Sequence, residues 1–474
     1  MKKISIILVI LALPLLVSAH ELRAVKVEPK ISLESLPASV VEARPPSGGG
    51  SSGGDQTENE EAEDEVEIVF ETLRGKLEIF HFDDFAESEN SFYSYKLDLG
   101  NGQKLDLAPD FFTSYRENEE VTITGFRAGG VLVPTAVSAD TYTALEPSEM
   151  LEALGEQKTL VVLVRFLDSL PEPLTREEVE QLVFAGSANA FFREQSYDQT
   201  HFSGQVLPWH TLPREGRVSG ACLTPSLGLG GELDDYLLSS GINLHQYDRL
   251  LIFTDHPCVA GGNSSVGKYD LYLGDEVYRL STSNIFELRN FNQAHRDEAF
   301  DFSRFDFVLS HEAGHALGLG HARGWDCANG VLSGGCGSVE YGNSFDAMGN
   351  GYYALHFNVF EKLLLGWLNE EDLVTITTPG TYHLSPLEST QGTRGAKIDF
   401  GGNWKPLFLE YRSGAGFDFL LNNGEPTSNL QGLLANQVVT TGVVVPVSRL
   451  LDFTPQPSVS WYLDSIQSSL NLEA

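Results

Sequence analysis

Apolar and polar positions alternate with a period of two in several short stretches near the start of the ordered chain. These are Glu67–Leu73, Lys76–Phe82, Tyr93–Asp98, Lys104–Leu107, Glu120–Phe126 and Gly130–Ala136. Turn residues such as Gly100-Asn101-Gly102 separate them, which predicts a small β-barrel, OB-like, over residues 66–142. The pattern then changes. Thr159–Phe166 and Arg249–Thr254 are continuous apolar runs, expected as strands buried on both faces. Thr175-Arg176-Glu177-Glu178 carries a capping box that opens a helix to Phe184, and a second helix is expected at Ala188–Gln195. Asp306–Leu317 and His356–Trp367 read as two more helices. From residue 373 the short strands return at Leu373–Thr377, Gly380–Ser385, Ala396–Phe400, Leu407–Tyr411, Gly442–Val447 and Ser458–Tyr462, predicting a C-terminal β-sandwich over 373–474. The fold class expected is therefore α+β.

The segment before the barrel follows a different pattern. Lys2 and Lys3, an apolar run from Ile4 to Val17 and the small residues Val17-Ser18-Ala19 have the form of a secretory signal peptide at 1–19. Residues 20–65 form a leader and linker. Pro45 to Gly54 is rich in Pro, Gly and Ser, and the run from Asp55 to Glu67 holds eight acids and no base, so it repels itself and stays solvated. The expected location is secreted and extracellular, with no stable membrane insertion. The net charge of −35 disfavours nucleic acid as a partner, and the acidic barrel lacks the basic surface such a role requires. A monomer is expected.

One segment carries most of the chemistry. His311-Glu312-Ala313-Gly314-His315-Ala316-Leu317-Gly318-Leu319-Gly320-His321 reads H-E-x-x-H-x-x-G-x-x-H. On a helix His311 and His315 share one face and can bind one metal ion. Gly318 allows a left-handed exit that swings His321 back as a third ligand. Three imidazoles leave one tetrahedral position of Zn2+ open, the arrangement of a catalytic site. Glu312 lies beside them as a candidate general base. Downstream, Met348 sits in a Gly-flanked turn, Tyr341-Gly342-Asn343-Ser344-Phe345-Asp346-Ala347-Met348-Gly349. His356-Phe357-Asn358 and Lys362-Leu363-Leu364-Leu365-Gly366-Trp367-Leu368 follow.

With these motifs the chain resembles a metzincin zinc metalloprotease of the gametolysin-like group. The resemblance is strongest over 311–368 and weaker from about residue 158 to the end. It implies a metzincin-type catalytic domain at 156–372, a twisted sheet with long helices. It also implies His311, His315 and His321 as zinc ligands, Glu312 as the base and Met348 as the Met-turn. Its partners would be protein or peptide substrates outside the cell or in its wall. Tyr352 and Tyr353 are the nearest residues past Met348 for an oxyanion-stabilising tyrosine. Ala322, after the third His, matches no better-known subfamily, so no side-chain preference is carried over.

The four Cys form an even set in a secreted chain. Local order pairs Cys327 with Cys336 and Cys222 with Cys258, one of three possible connectivities. Two other function classes remain open on the sequence: a non-catalytic secreted binding protein that keeps the fold, and a zinc hydrolase of a non-peptide bond. The barrel is equally open, either a removable pro-region or a permanent binding module. As a pro-region it has no Cys to cap a metal, but it has carboxylates, Asp83 and Asp84 among them.

Overall fold

A computed structural model of the chain describes residues 4–8, 70–83, 91–100, 102–108, 119–128, 131–139, 153–169, 174–218, 221–222, 225–255, 261–286, 302–326, 337–349, 353–378, 380–399, 405–422, 432–439, 447–451, 458–463 and 468–473. The protein is mixed α+β, with many strands and few helices.

Five strands close into a barrel: β1 (Phe70–Asp83), β2 (Phe92–Asp98), β3 (Lys104–Leu107), β4 (Glu120–Ala128) and β5 (Val131–Ala139). β1 pairs with β2 and with β4, β2 with β3, β5 with β4, and β3 meets β5 in parallel. Leu77, Ile79, Tyr95, Leu97, Val121 and Ile123 fill the interior. The sequence predicts two strands where the structure has β1 alone. Gly75 does not turn the chain. It lets the Asp98 carbonyl pass so closely that a Cβ there would lie 2.3 Å from the oxygen.

The central sheet runs β7 (Thr200–Val206), β6 (Gly155–Arg165), β8 (Arg249–Asp255), β11 (Glu276–Ile285) and β9 (Gly262–Ser265), with β10 (Tyr269–Leu273) paired to β11. The first four are parallel, and β9 is antiparallel to β11. All seven positions of β8 are buried, as an apolar run inside a parallel sheet requires. The predicted capping box is present. Thr175 accepts from the Glu178 N–H and opens α1 (Arg176–Glu180), which continues as one π turn to Ala185. Helices α2 (Ser187–Gln195) and α3 (Phe302–Ala316) follow, and both pack in the core beneath the sheet.

β9 would be the sheet's outer edge, but the last four residues of β1 cover it. Gly262, Asn263, Ser264 and Ser265 pair antiparallel with Asp83, Phe82, His81 and Phe80. One strand thus belongs to both the barrel and the central sheet.

The expected C-terminal sandwich is not what forms. β12 (Arg323–Asp326) and β13 (Gly337–Val339) join β14 (Leu373–Ile376), β16 (Gly395–Ile398), β17 (Leu407–Arg412), β18 (Gly432–Val439) and β19 (Val447–Leu451) in a single seven-stranded sheet. Its order is β13-β12-β19-β18-β17-β16-β14. One face of this sheet is closed by α4 (Val359–Leu364) and the turn before it, so a second sheet is not needed to bury it. β15 (Gly380–Leu384) stands apart and pairs with Ile4–Leu8, a stretch inside the expected signal peptide. Residues 458–463 and 468–473 form a hairpin. The predicted strand Gly442–Val447 falls almost wholly outside the described residues, as do Cys258, Cys327 and Cys336, and hence both predicted disulfides. Among the described residues, no helix is long and apolar enough to cross a membrane.

Candidate metal centre

Helix α3 puts His311 and His315 on one face, one turn apart. The chain then leaves the helix at Gly318, whose φ of +104° is the left-handed exit predicted for it. The bend returns His321, so that its Nε2 stands 3.1 Å from His315 Nε2. All three imidazoles are fully buried. Each is aimed by its other nitrogen. His311 Nδ1 donates to the Ala347 carbonyl at 2.7 Å, His315 Nδ1 to the Leu319 carbonyl at 2.8 Å, and His321 Nδ1 to Glu340 Oε1 at 2.8 Å. This leaves the three Nε2 atoms with lone pairs directed inward, as metal-binding imidazoles are held. Glu340 is itself paired with Arg323.

Met348 is fully buried below this group, with its Sδ against Gly314, between the two helical histidines. Its carbonyl accepts from Ala322, fixing the turn to the residue after His321. The expected position of Met348 beneath the histidines is therefore what the structure has.

The fourth side of the centre is occupied from an unexpected direction. Asp83, the last residue of β1, places its carboxylate among the three histidines. Oδ1 lies 3.1 Å from His321 Nε2 and 3.4 Å from His311 Nε2, and Oδ2 lies 3.5 Å from His315 Nε2. His81, two residues earlier on the same face of the strand, holds Oδ2 at 2.9 Å. Ligand atoms of His81, Asp83, His315 and His321 all fall within 4.8 Å of one another, a group able to hold a metal ion. His311 is not one of these four: His81 is engaged with Asp83 itself, and His311 Nε2 lies 3.4 Å from Asp83 Oδ1.

Tyr341 was not expected here. Its hydroxyl donates to Asp83 Oδ1 at 2.5 Å, and its ring lies 3.8 Å from that of His321. Of the tyrosines chosen from the sequence, Tyr353 does not take this place. Tyr353 packs in a separate apolar cluster with Phe345, Leu355, Leu434 and Leu450. Tyr352 lies outside the described residues. Tyr341, with a left-handed φ of +56°, stands beside His321 at the entry to the turn. That uncommon backbone is stored where the site needs it, and a Tyr followed by Gly342 was the available sequence signal.

Charge in this pocket is tightly constrained. Glu312 is fully buried, and neither carboxylate oxygen has a hydrogen-bond donor. Burial, and then the Asp83 carboxylate, push Glu312 well above the usual carboxylate range. Asp83 moves the other way: burial opposes its charge, but His81 and His311 outweigh burial and hold it well below the ordinary value. Burial depresses His315 to about 4 and also lowers His311. His321 rises despite burial, because Asp83 and Glu340 bind its protonated form.

A cation fits this donor set. Inward lone pairs at 3.1 Å repel unless something positive lies between them, and a buried carboxylate without a donor is costly unless it faces a cation or a bound polar molecule. Three imidazoles and a carboxylate are the ligands of a borderline-soft divalent ion. No known protein family's pattern matches the chain, and no curated protein matches it.

Proposed function

We propose that the protein is a secreted zinc-dependent endopeptidase of metzincin type, similar to the gametolysin-like group, acting on proteins outside the cell or in its wall. The observation that carries this reading is the convergence of three inward Nε2 atoms with an unpartnered buried glutamate, Glu312, on the same helix. In this reading His311, His315 and His321 would hold the ion, and a three-imidazole donor set supports zinc. When bound, zinc supplies a Lewis acid and lowers the pKa of water toward about 7.

The chain's own residues do the rest. The carboxylate of Glu312 accepts a proton from the attacking water at one of its Oε atoms. It then returns that proton to the leaving amine. The Tyr341 hydroxyl, already a donor toward the centre, would bind the oxygen on which charge develops at the attacked carbonyl. β9, which β1 covers, would offer its backbone groups to an extended peptide only with β1 moved off it.

The test is hydrolysis of casein by the zinc-loaded chain, compared with Glu312→Ala. The variant should keep its metal, because Glu312 is not a ligand, and lose activity by about 10²–10⁴-fold. Turnover in the variant equal to the parent would refute the role given to Glu312.

A further inference from the structure

We infer that the protein carries a second binding site, a groove between the β2–β3 turn of the barrel and the central domain. The groove takes an extended peptide in which Lys or Arg is flanked by aliphatic side chains. It shares none of its described lining with the histidine centre, and the inference uses no part of the peptidase reading.

The space comes first. A cleft of about 610 Å³ is bounded by Gly102 of the barrel, by the loop and helix from Leu229 to Leu238, and by the β10–β11 turn from Tyr272 to Val277. That volume is in the range of clefts that hold ligands. Three aliphatic side chains of its lining remain in solvent: Leu229 is 50% exposed, Leu238 46% and Val277 44%. Exposed leucines scattered singly need no explanation, but three on one concavity form a patch of the kind that marks an interaction site.

Leu229 is also held there under strain. Its φ is +56°, between Gly228 at +83° and Gly230 at +85°. The left-handed region crowds any Cβ, whereas Gly occupies it freely. The fold nonetheless enforces it. Leu229 N–H donates to the Tyr272 carbonyl at 3.1 Å. The buried Asp234 carboxylate accepts from Gly228 N–H at 2.6 Å and from Gly230 and Gly231 N–H at 2.9 Å each. The Leu229 side chain is half-exposed, so packing within the fold does little to offset the strain. A strained residue that its surroundings over-determine is characteristic of a binding surface.

Charge then selects the occupant. Asp235 and Asp275 are exposed in the groove, and among the described residues neither is in an ion pair and no Lys or Arg lines the cleft. Lys104 reaches the Tyr272 ring, 5.0 Å from its centroid, but its Nζ is held by Glu78 and by the Asp270 carbonyl. Asp234 is committed to its loop. Each central-domain segment therefore brings both kinds of group: Leu229, Leu238 and Asp235 on one, Val277 and Asp275 on the other. A lone cation meets only the acids. A peptide with basic and aliphatic side chains in succession meets both, and the stems of Lys and Arg themselves pack on apolar surface while the charged heads reach the carboxylates.

The test is fluorescence polarisation of a labelled peptide, Gly-Leu-Lys-Leu-Arg-Leu-Gly, titrated with the full-length chain in the Glu312→Ala background so that the probe is not cut. Saturable binding is expected. Leu229→Gly should weaken it by at least about tenfold, while the melting temperature stays equal to or rises above that of the background chain, because Gly takes the left-handed backbone without strain. Asp235→Asn combined with Asp275→Asn alters only exposed carboxylates, so its reading does not depend on how the Leu229 variant folds, and it should also weaken binding by at least about tenfold. No saturable binding would overturn the site, as would unchanged affinity in both variants. Equal affinity for a probe with Glu in place of Lys and Arg would overturn the charge selection. N-acetyl-lysine amide displacing the probe at the peptide's own concentration would overturn the choice of a peptide. Casein hydrolysis is not a readout here, so this inference and the peptidase reading can each fail alone.

Discussion

Two buried polar clusters lie on either side of the Met348 turn, and they resolve the cost of burial in opposite ways. Beyond the turn, Arg412 is fully enclosed with every part of its guanidinium engaged. Nε meets Glu410 Oε1 at 2.8 Å, Nη1 meets Asp418 Oδ2 at 2.9 Å, and Nη2 meets the His356 carbonyl at 2.9 Å. The partners are themselves completed: Glu410 Oε2 accepts from Val359 N–H, and Asp418 Oδ1 from His356 N–H. His356, a candidate supporting residue on sequence grounds, belongs here, held by Glu194 and Lys362. The cluster on the other side contains four imidazoles, two carboxylates and a phenol, and it leaves Glu312 without a donor. The first cluster is closed by groups the chain supplies. The second leaves both Glu312 oxygens without a hydrogen-bond partner. A buried network that satisfies itself specifies packing, whereas one left short of partners is a candidate functional site.

The sharpest way to break this contrast is Arg412→Ala. It would strand Glu410 and Asp418 in the interior, and the expected loss is about 3–5 kcal/mol in a denaturant titration. A loss below about 1 kcal/mol would mean that the closed cluster is not holding the second sheet. Metal should act on the other cluster alone. Chelation ought to lower the melting temperature of the parent. The lost stabilisation would be about 4 kcal/mol if free metal had stood near 1,000 times its dissociation constant. His315→Ala should be insensitive to the chelator, and a melting shift of parental size in that variant would remove His315 from the ligand set. Tyr341→Phe tests the open cluster without emptying it. Under the proposed reaction, kcat for casein should fall by about 10²-fold with little change in KM. A change confined to KM would make Tyr341 a binding group only.

A further contrast concerns Lys362, whose Nζ donates to the Gln195 carbonyl at 2.6 Å. Burial, then repulsion from Arg412, lowers its pKa from 10.5 to about 7. Between these values the unfolded chain holds a proton that the folded chain has lost. Stability from this group is therefore complete above 10.5 and declines as pH falls toward 7, by at most about 1.4 kcal/mol per pH unit. Subtracting a Lys362→Met titration from that of the parent isolates this slope from the tyrosines, which also titrate at high pH. A difference that is flat or of opposite sign would show that Lys362 is charged in the fold.

The local features of this molecule were legible in the sequence wherever short-range physics decides them. The capping box at Thr175, the helix around His311 and the exit at Gly318 all depend on neighbours within a few residues. The five barrel strands were readable for the same reason, apart from the false break at Gly75. What escaped were pairings across long separations. Asp83 was one carboxylate among many until the fold brought it 238 residues along the chain to His321. β18 contains Asn436 and Gln437, which hide its alternation, yet Asn436 is fully buried. The seven-stranded sheet could not be foreseen, because β12 joins β19 from the far side of the turn. The network around Arg412 crosses the boundary expected at residue 372, joining residues 194, 356 and 359 to residues 410, 412 and 418.

β1 also acts as a ruler. Leu77 and Ile79 point into the barrel, and His81 and Asp83 continue the same face into the centre. Their spacing is fixed by the two-residue pleat. Adding or deleting one residue between Ile79 and Asp83 would turn that face over. With the barrel held in place, one added residue would put Phe82 where Asp83 stands, whereas one deleted residue would put Asp84 there. A shift by two would preserve the face but move the Asp83 carboxylate about 6–7 Å along the edge, beyond reach of every imidazole. The strand is therefore sensitive to added length, and a single deletion hands its place at the centre to the next carboxylate.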